Sequence, residues 1–265
     1  FTCTAGVWVA TVGPQGFGSP LAVNHMYDAF GVQVPIPEGG YRNISYIYAT
    51  AANGTAMEIS LDDQIVPPGG WSNYFSAPSS NGTGTNTTTF AMGTTPATPQ
   101  MDFGYDPVSG MTWGRWQGNW VINALPSQPS TSNLHWFATP TQSQAVDLPL
   151  TGIIPYTYAG GTTPTDNYGT LGSLASTPTF IANFTNQTVN VTLGVNMPAS
   201  AGGAAAVQMN AVANNVPILP GANFKTTTPA VTCTGCVTAP TGVIGGQFSQ
   251  GGVGAGVGYG LKNGG

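Results

Sequence analysis

The chain has 265 residues, a net charge of −5 and only 5% Asp, Glu, Lys and Arg, where an ordinary soluble domain carries roughly 25%. Nine acids and four bases leave no basic stripe to follow a phosphate backbone, which argues against nucleic-acid binding, and no run of about 20 apolar residues is present to cross a membrane as a helix. A content of 41% hydrophobic and 10% aromatic residues argues against disorder, while 38 Gly and 22 Pro disfavour long helices and predict an all-β chain with many turns.

In chain order, the stretch from Phe1 to about Gly104 offers short apolar pieces separated by turns. Leu21 to Phe30 reads as one short helix. Tyr41 to Tyr48 reads as a strand, with Ile44, Tyr46 and Tyr48 on one face. Ala56 to Leu61 and Thr87 to Met92 are shorter strands, and Pro67-Pro68-Gly69-Gly70 and Ser79-Ser80-Asn81-Gly82 are turns. This part is expected to form a smaller β-rich domain, residues 1–104.

Residues 105–265 are more regular. Strands are predicted over Met111 to Ala124, Leu134 to Ala138, Gly152 to Tyr158, Thr177 to Phe184, Thr188 to Val195, Ala204 to Ala213, Val243 to Ser249 and Gly254 to Leu261. Val189, Val191, Leu193 and Val195 alternate with Asn190, Thr192 and Gly194, the period-2 signature of a half-buried strand. Closing an eight-stranded antiparallel meander into a barrel removes its exposed edges, so a barrel is the expected architecture.

The run Thr112-Trp113-Gly114-Arg115-Trp116-Gln117-Gly118, then Leu134-His135-Trp136, Leu148-Pro149-Leu150-Thr151-Gly152 and Tyr158 to Asp166, resembles the C-terminal domain of certain FecR-domain-type bacterial proteins. Those domains are in turn similar to the barrels of transferrin-binding-protein-B-like surface lipoproteins. Gly245-Gly246-Gln247-Phe248 and Gly256 to Leu261 resemble the last two strands of that family. The resemblance covers about residues 105–261. It implies an eight-stranded barrel and a place at a bacterial surface, and it implies no reaction.

Catalytic groups are scarce. His25 and His135 stand far apart, and His135, between Leu134 and Trp136, is expected to hydrogen-bond in or beside the barrel. No His and Cys set has the spacing of a zinc site. Asp62-Asp63 and the pair Asp102 and Asp106 lack the Asp, Asn and Gly pattern of a calcium loop, so solvated turns are their expected place. No catalytic, cofactor or metal residue is assigned, and the chain is read as a non-enzyme with no cofactor.

Cysteine and tryptophan carry more. Cys233-Thr234-Gly235-Cys236 has the spacing of redox and metal motifs but no helix pattern after it, and a structural disulfide in an oxidising compartment is the expected role. With Cys3 the count is odd. Cys233 pairs with Cys236 and leaves Cys3 free, or Cys3 ties the N-terminus to the second domain, or a bond joins neighbouring copies. Trp113, Trp116, Trp120 and Trp136 lie in two strands; Trp113 and Trp120 cannot both share a face with Trp116 unless a bulge intervenes. Core filling is the expected role of most of them, some are expected to face outward as a binding or packing surface that includes Arg115, and Arg115, between Trp113 and Trp116, is expected to stack on a ring or to form a buried pair.

Seven Asn-x-Ser/Thr sequons begin at Asn43, Asn53, Asn81, Asn86, Asn183, Asn186 and Asn190. The abundance of Asn and Thr accounts for that number, and the resemblance is to bacterial proteins, so the sequons are read as composition. Nothing at Phe1 resembles a signal peptide, so an exported chain is expected to have lost its signal. Weak charge means weak repulsion between copies, and a glycine-rich end over Gly251 to Gly265 is expected to need a neighbour to stay ordered. These features together point to a structural subunit of an extracellular bacterial assembly, a filament or surface layer whose partners are copies of itself. A surface module that binds a host protein, glycan or iron-related ligand is the alternative.

Overall fold

The computed structural model describes residues 3–11, 26–27, 33–34, 42–50, 56–60, 74–78, 87–92, 102–122, 130–140, 148–166, 168–200, 203–220 and 222–263. Between residues 1 and 147, side chains are described only at 6, 102, 104, 106–111, 113–115, 135 and 137. The strands in chain order are β1 (Cys3–Thr11), β2 (Met26–Tyr27), β3 (Gln33–Val34), β4 (Arg42–Thr50), β5 (Ala56–Ser60), β6 (Tyr74–Pro78) and β7 (Thr87–Met92). There follow β8 (Asp102–Tyr105), β9 (Thr112–Ile122), β10 (Ser130–Pro140), β11 (Ile153–Gly161), β12 (Thr165–Asp166), β13 (Ser173–Leu174) and β14 (Thr179–Asn183). The last are β15 (Thr188–Met197), β16 (Val207–Leu219), β17 (Asn223–Thr226), β18 (Ala230–Thr234), β19 (Thr241–Phe248) and β20 (Gly254–Lys262). The described residues hold no α-helix, only a 3₁₀ turn over Gln250–Gly252.

The fold is all-β, with an antiparallel sheet curled into a half-barrel. That sheet has eleven strands in the order β13-β15-β14-β11-β1-β20-β19-β17-β16-β18, with β12 paired to β1 and a further ladder between β15 and β16. The last ladder returns the path on itself. A seven-stranded sheet runs β5-β4-β10-β9-β7-β6, with β8 paired to β9, and β2 and β3 form a separate pair.

The alternation in Thr188 to Met197 does what its period dictates. Val189, Val191, Leu193, Val195 and Met197 are buried, and Asn190, Thr192 and Asn196 turn away from that interior. Beside them in one core lie Phe180, Phe184, Phe224 and Phe248, with Tyr156, Ile244, Val257, Tyr259 and Leu261. The rings meet edge-on or tilted, at centroid distances from 5.1 Å for Tyr156 and Phe180 to 6.1 Å for Tyr156 and Phe248, the spacing aromatic quadrupoles favour.

Strand β20 shows the sequence code most plainly. Gly254-Ala255-Gly256-Val257-Gly258-Tyr259-Gly260-Leu261 puts Ala, Val, Tyr and Leu on the core face and glycine on the other, and every one of these residues is buried. The glycine face is buried because the second sheet lies on it. A Cβ on Gly256 would overlap the Phe137 ring, and one on Gly254 would overlap Ser109. Glycine at these positions leaves room for those side chains against the strand backbone.

The structure differs from expectation in which strands belong together. β9 and β10 pair with β4, β7 and β8 in the seven-stranded sheet, and β1 instead fills the place between β11 and β20. Both large sheets therefore draw strands from either side of residue 104. The physical reason is that β9 and β10 carry apolar residues on both faces, so their alternation fixes no sheet, whereas β20 needs a ladder on each edge. Of the helix expected at 21–30, the described residues are Met26–Tyr27, which pair with Gln33–Val34 as a strand. The turns expected at 67–70 and 79–82, and Asp62-Asp63 and His25, lie outside the described residues.

Candidate functional site: a polar seam between the two sheets

The chemistry-bearing side chains meet where the seven-stranded sheet covers the outer face of the larger one. Period 2 places Trp113 and Arg115 on one face of β9, and His135 and Phe137 on one face of β10. The register then sets Phe137 opposite Trp113 and His135 opposite Arg115, and β8 sets Gly104 opposite Trp113 and Asp102 opposite Arg115. Two rows result. Gly104, Trp113 and Phe137 form an apolar row, and Asp102, Arg115 and His135 form a polar one.

The larger sheet meets these rows with small residues and threonines. Gly160 backs onto the Trp113 indole so closely that a Cβ there would overlap the ring, and Gly104 does the same from β8. Beyond Gly161 the chain turns over the polar row. His135 is fully buried, with Nδ1 2.8 Å from Thr162 Oγ1 and Nε2 2.7 Å from Thr165 Oγ1. Arg115, only 2% exposed, donates from Nε to Asp102 Oδ2 at 2.8 Å. The same carboxylate oxygen accepts the N–H of Thr163 at 2.9 Å, so one Asp ties β8 and β9 to the strand connection of the other sheet.

The electrostatics follow from burial. Desolvation holds the His135 imidazole down to about 3, and the positive charge of Arg115 pushes the same way against a smaller opposing effect of Asp102; the ring is neutral. For Asp102, desolvation works upward, but the hydrogen bonds from Arg115 and Thr163 and the Arg115 charge outweigh it and hold the carboxyl below its ordinary range. Burial raises the Tyr156 and Tyr259 phenols. Tyr156 donates its hydroxyl hydrogen to the Gly252 carbonyl, while the Tyr259 hydroxyl is buried beside Gly6 with no hydrogen-bond partner among the described residues.

Of the acids expected in solvated turns, the two that are described, Asp102 and Asp106, are engaged in bonds, the first half-buried and the second buried. Asp102 makes the ion pair just described. Asp106 is buried and accepts the N–H of Ser109 at 2.8 Å and the Ser109 hydroxyl, capping the turn that feeds β9. The physical reason is local: residues 107–110 fold back so that the N–H groups of Val108 and Ser109 reach the carboxylate while the Gly110 N–H donates to the Asp106 main-chain carbonyl, as Asx residues favour in turns. Asp166 is also buried, and its Oδ1 accepts the N–H groups of Tyr168 and Thr170 at 2.9 and 2.8 Å.

Of the residues singled out by sequence, Trp113 and Arg115 meet in the seam, and His135 takes the hydrogen-bonded place expected of it. Trp116, Trp120 and Trp136 lie in β9 and β10, where Trp116 pairs with Leu134, Trp120 with Thr131 and Trp136 with Gly114; their side chains lie outside the described residues. A register shift falls between Thr131 and Asn133, whose partners are Trp120 and Gln117, so a bulge does separate Trp113 and Trp116 from Trp120. Cys233 and Cys236 form a disulfide with Cα atoms 5.7 Å apart. Gly235 between them has φ of 89°, a left-handed conformation that glycine takes at no steric cost. Cys3 opens β1, paired with Lys262, and its side chain lies outside the described residues. Sequence reasoning missed Thr162, Thr163 and Thr165 as partners of His135 and Asp102, because only the register of β8, β9 and β10 brings those strands beneath the loop.

Among the described residues no group of three or more His, Cys, Asp or Glu stands together to hold a metal ion, and no helix is long and apolar enough to cross a membrane. What the seam does chemically is bind sheet to sheet: the carboxylate of the Asp102–Arg115 pair accepts from Thr163, the imidazole has both nitrogens engaged, and two aromatic rings are seated on glycines. Comparison with family models, with curated proteins and with solved structures gives no match.

Proposed function

We propose that the chain is a non-enzymatic structural subunit of an extracellular bacterial assembly, a filament or surface layer in which copies join by strand addition. On this reading β1, β11, β14, β15, β16, β17, β19 and β20 act as an eight-stranded barrel that the second sheet braces from outside. The observation that carries the proposal is β18. Among the described residues it has a ladder on one edge only, to β16, and its sequence Ala230-Val231-Thr232-Cys233-Thr234 carries no charge or proline of the kind that keeps an open edge from pairing. The occupant proposed is an extended strand of a second copy, which would take up the unladdered N–H and C=O groups. A chain with 5% charged residues opposes that approach weakly. The disulfide supports an oxidising, extracytoplasmic location.

Size-exclusion chromatography and negative-stain imaging of the protein at moderate salt test this reading, with a Thr232→Lys, Thr234→Lys variant beside it. Both threonines are exposed. Ordered polymers from the parent chain, and monomers of unchanged circular dichroism from the variant, are the expected result. A parent chain that stays a 27 kDa monomer sinks the proposal.

A second reading, a surface binding module, is favoured by the opposite end of the barrel. Leu150 and Ile153 are 86% and 65% exposed there, two of the most exposed large apolar side chains among the described residues, with Val237 beside the disulfide at 90%. A monomer that binds a ligand, and loses it on Leu150→Ser substitution, would transfer support to this reading.

A further inference from the structure

The β14–β15 hairpin carries three of the seven sequons, those of Asn183, Asn186 and Asn190, and the structure separates them. Asn183 closes β14 half-buried, its Oδ1 accepting the N–H of Asn186 at 3.0 Å. The hydroxyl of its partner residue Thr185 is engaged as well, accepting the Gly152 N–H at 2.9 Å. Asn190 is half-buried within β15, between the ladders to β14 and β16, and its Oδ1 accepts the N–H of Asn215 at 2.7 Å. Asn215 has φ of 54°, so that contact supports a left-handed residue. Asn186 is different. It stands exposed at the tip, with Thr188 at the required second position after it.

The tip is also rigidly held. Phe184 is fully buried in the core beneath it, and its N–H donates to the Gly152 carbonyl at 2.8 Å. The Gln187 side-chain amide donates to the Phe184 carbonyl at 2.8 Å, and Gln187 in turn accepts the Ile218 N–H at 2.8 Å. Gln187 itself has φ of 53°. These bonds hold the turn in one shape, with Asn186 exposed between Thr185 and Gln187, which are exposed as well. The register puts this tip beside Thr188, whereas β18 pairs with the stretch of β16 that faces Thr192 to Asn196. A group attached at 186 thus stands away from the β18 edge.

We infer that Asn186 is an N-glycan acceptor, modified on the folded chain, while Asn183 and Asn190 are not. The bond formed joins Asn186 Nδ2 to the anomeric carbon of a sugar. The donor is an oligosaccharide activated on a polyprenyl phosphate or diphosphate carrier, whose anomeric C–O bond breaks; the carrier departs with the electron pair and the amide proton leaves to solvent. Only one Nδ2 hydrogen is replaced, so the hairpin loses no hydrogen bond. At Asn190 the same transfer would need the strand drawn out of two ladders. A disulfide-bearing chain passes through the kind of compartment in which such transfer occurs.

Peptide mapping by mass spectrometry of the protein from its own cells is the first test, and sugar on the peptide that contains Asn186 is expected. A bare Asn186 overturns the inference whatever the other sequons carry. The second test incubates the folded chain with a single-subunit oligosaccharyltransferase and its lipid-linked donor. Modification at 186 is expected, lost in Asn186→Gln and in Thr188→Ala, and regained in Thr188→Ser. Modification of Asn183 or Asn190 on the folded chain to the same extent as Asn186 overturns it.

Discussion

The large sheet has two buried faces, and they are built on different principles. Its interior is filled by Phe180, Phe184, Phe224 and Phe248 and by the valines of β15, with scarcely a polar atom among them. Its outer face, where the second sheet lies, combines Trp113 and Phe137 with an ion pair, a buried imidazole and three threonine partners. The interior is tolerant of how its rings are arranged, provided the volume is kept. The seam is not, because its polar groups bond to particular partners in particular places. Apolar burial holds the larger sheet together, and directional bonds fix where the smaller one sits on it.

The largest effect that tests this contrast comes from the interior. Phe248→Ala removes a ring that touches Tyr156, Phe180, Phe184 and Phe224, and a loss of about 3–5 kcal/mol is expected, read as a fall in urea midpoint. Phe248→Leu should recover more than half of it. If the two substitutions cost the same, the interior is less tolerant than the contrast requires.

The seam should respond in the opposite manner. Asp102→Asn leaves the Arg115 guanidinium, 2% exposed, without its counter-charge, and a cost of about 3 kcal/mol is expected. Adding Arg115→Met removes the stranded charge, so the double variant should be more stable than the single one. A double variant no better than Asp102→Asn would mean that the pair contributes little.

Acid should loosen the same seam. His135 takes up its proton near 6.5 when unfolded and only at about 3 when folded. The unfolded chain therefore binds more protons between those values, and stability falls as pH drops from 6.5 towards 3. Asp102, held below its ordinary 3.8, contributes stability above that value and loses it on further acidification, so the two groups act in one direction. Urea midpoints measured from pH 7.5 to 4 should fall, and His135→Gln should flatten that slope above pH 4.5. An unchanged slope in that variant would assign the acid sensitivity elsewhere.

A smaller effect is expected at the glycines. Gly256→Val places a side chain into the Phe137 ring, at a cost of about 1–3 kcal/mol. The companion Phe137→Ala should relieve the overlap, so the double variant should cost less than the sum of the two singles.

Some of this was legible in the sequence, for identifiable reasons. The alternation of Val189 to Val195 predicts both strand and buried face, since period and burial agree along the whole segment. The glycines of β20 mark the strand, but their purpose is hidden, because it depends on Phe137, more than a hundred residues earlier. Pairing of β1 with β20 joins the two ends of the chain, and no local pattern encodes a ladder at that separation. His135 reads correctly as a hydrogen-bonded residue. Asp102 does not read as an ion-pairing residue, because its partner Arg115 is set by the register of β8 on β9.

The Cys233–Cys236 disulfide should give the smallest effect. It closes a loop of only four residues, so chain-entropy arguments allow it about 2 kcal/mol at most. Gly235, with φ of 89°, and the ladder from β18 to β16 already impose much of the turn, which lowers the expectation further. Cys233→Ala, Cys236→Ala should therefore shift the urea midpoint slightly and leave the slope of the transition unchanged, because the surface exposed on unfolding is the same. Its larger consequence belongs to Cys3. With one disulfide among three cysteines, one sulfur per chain remains, and the double variant isolates it. A thiol titration of that variant under denaturing, non-reducing conditions should find one reactive group per chain if Cys3 stands alone. No reactive group, together with a dimer on a non-reducing gel, would place Cys3 in a bond between copies and give the proposed assembly a covalent link.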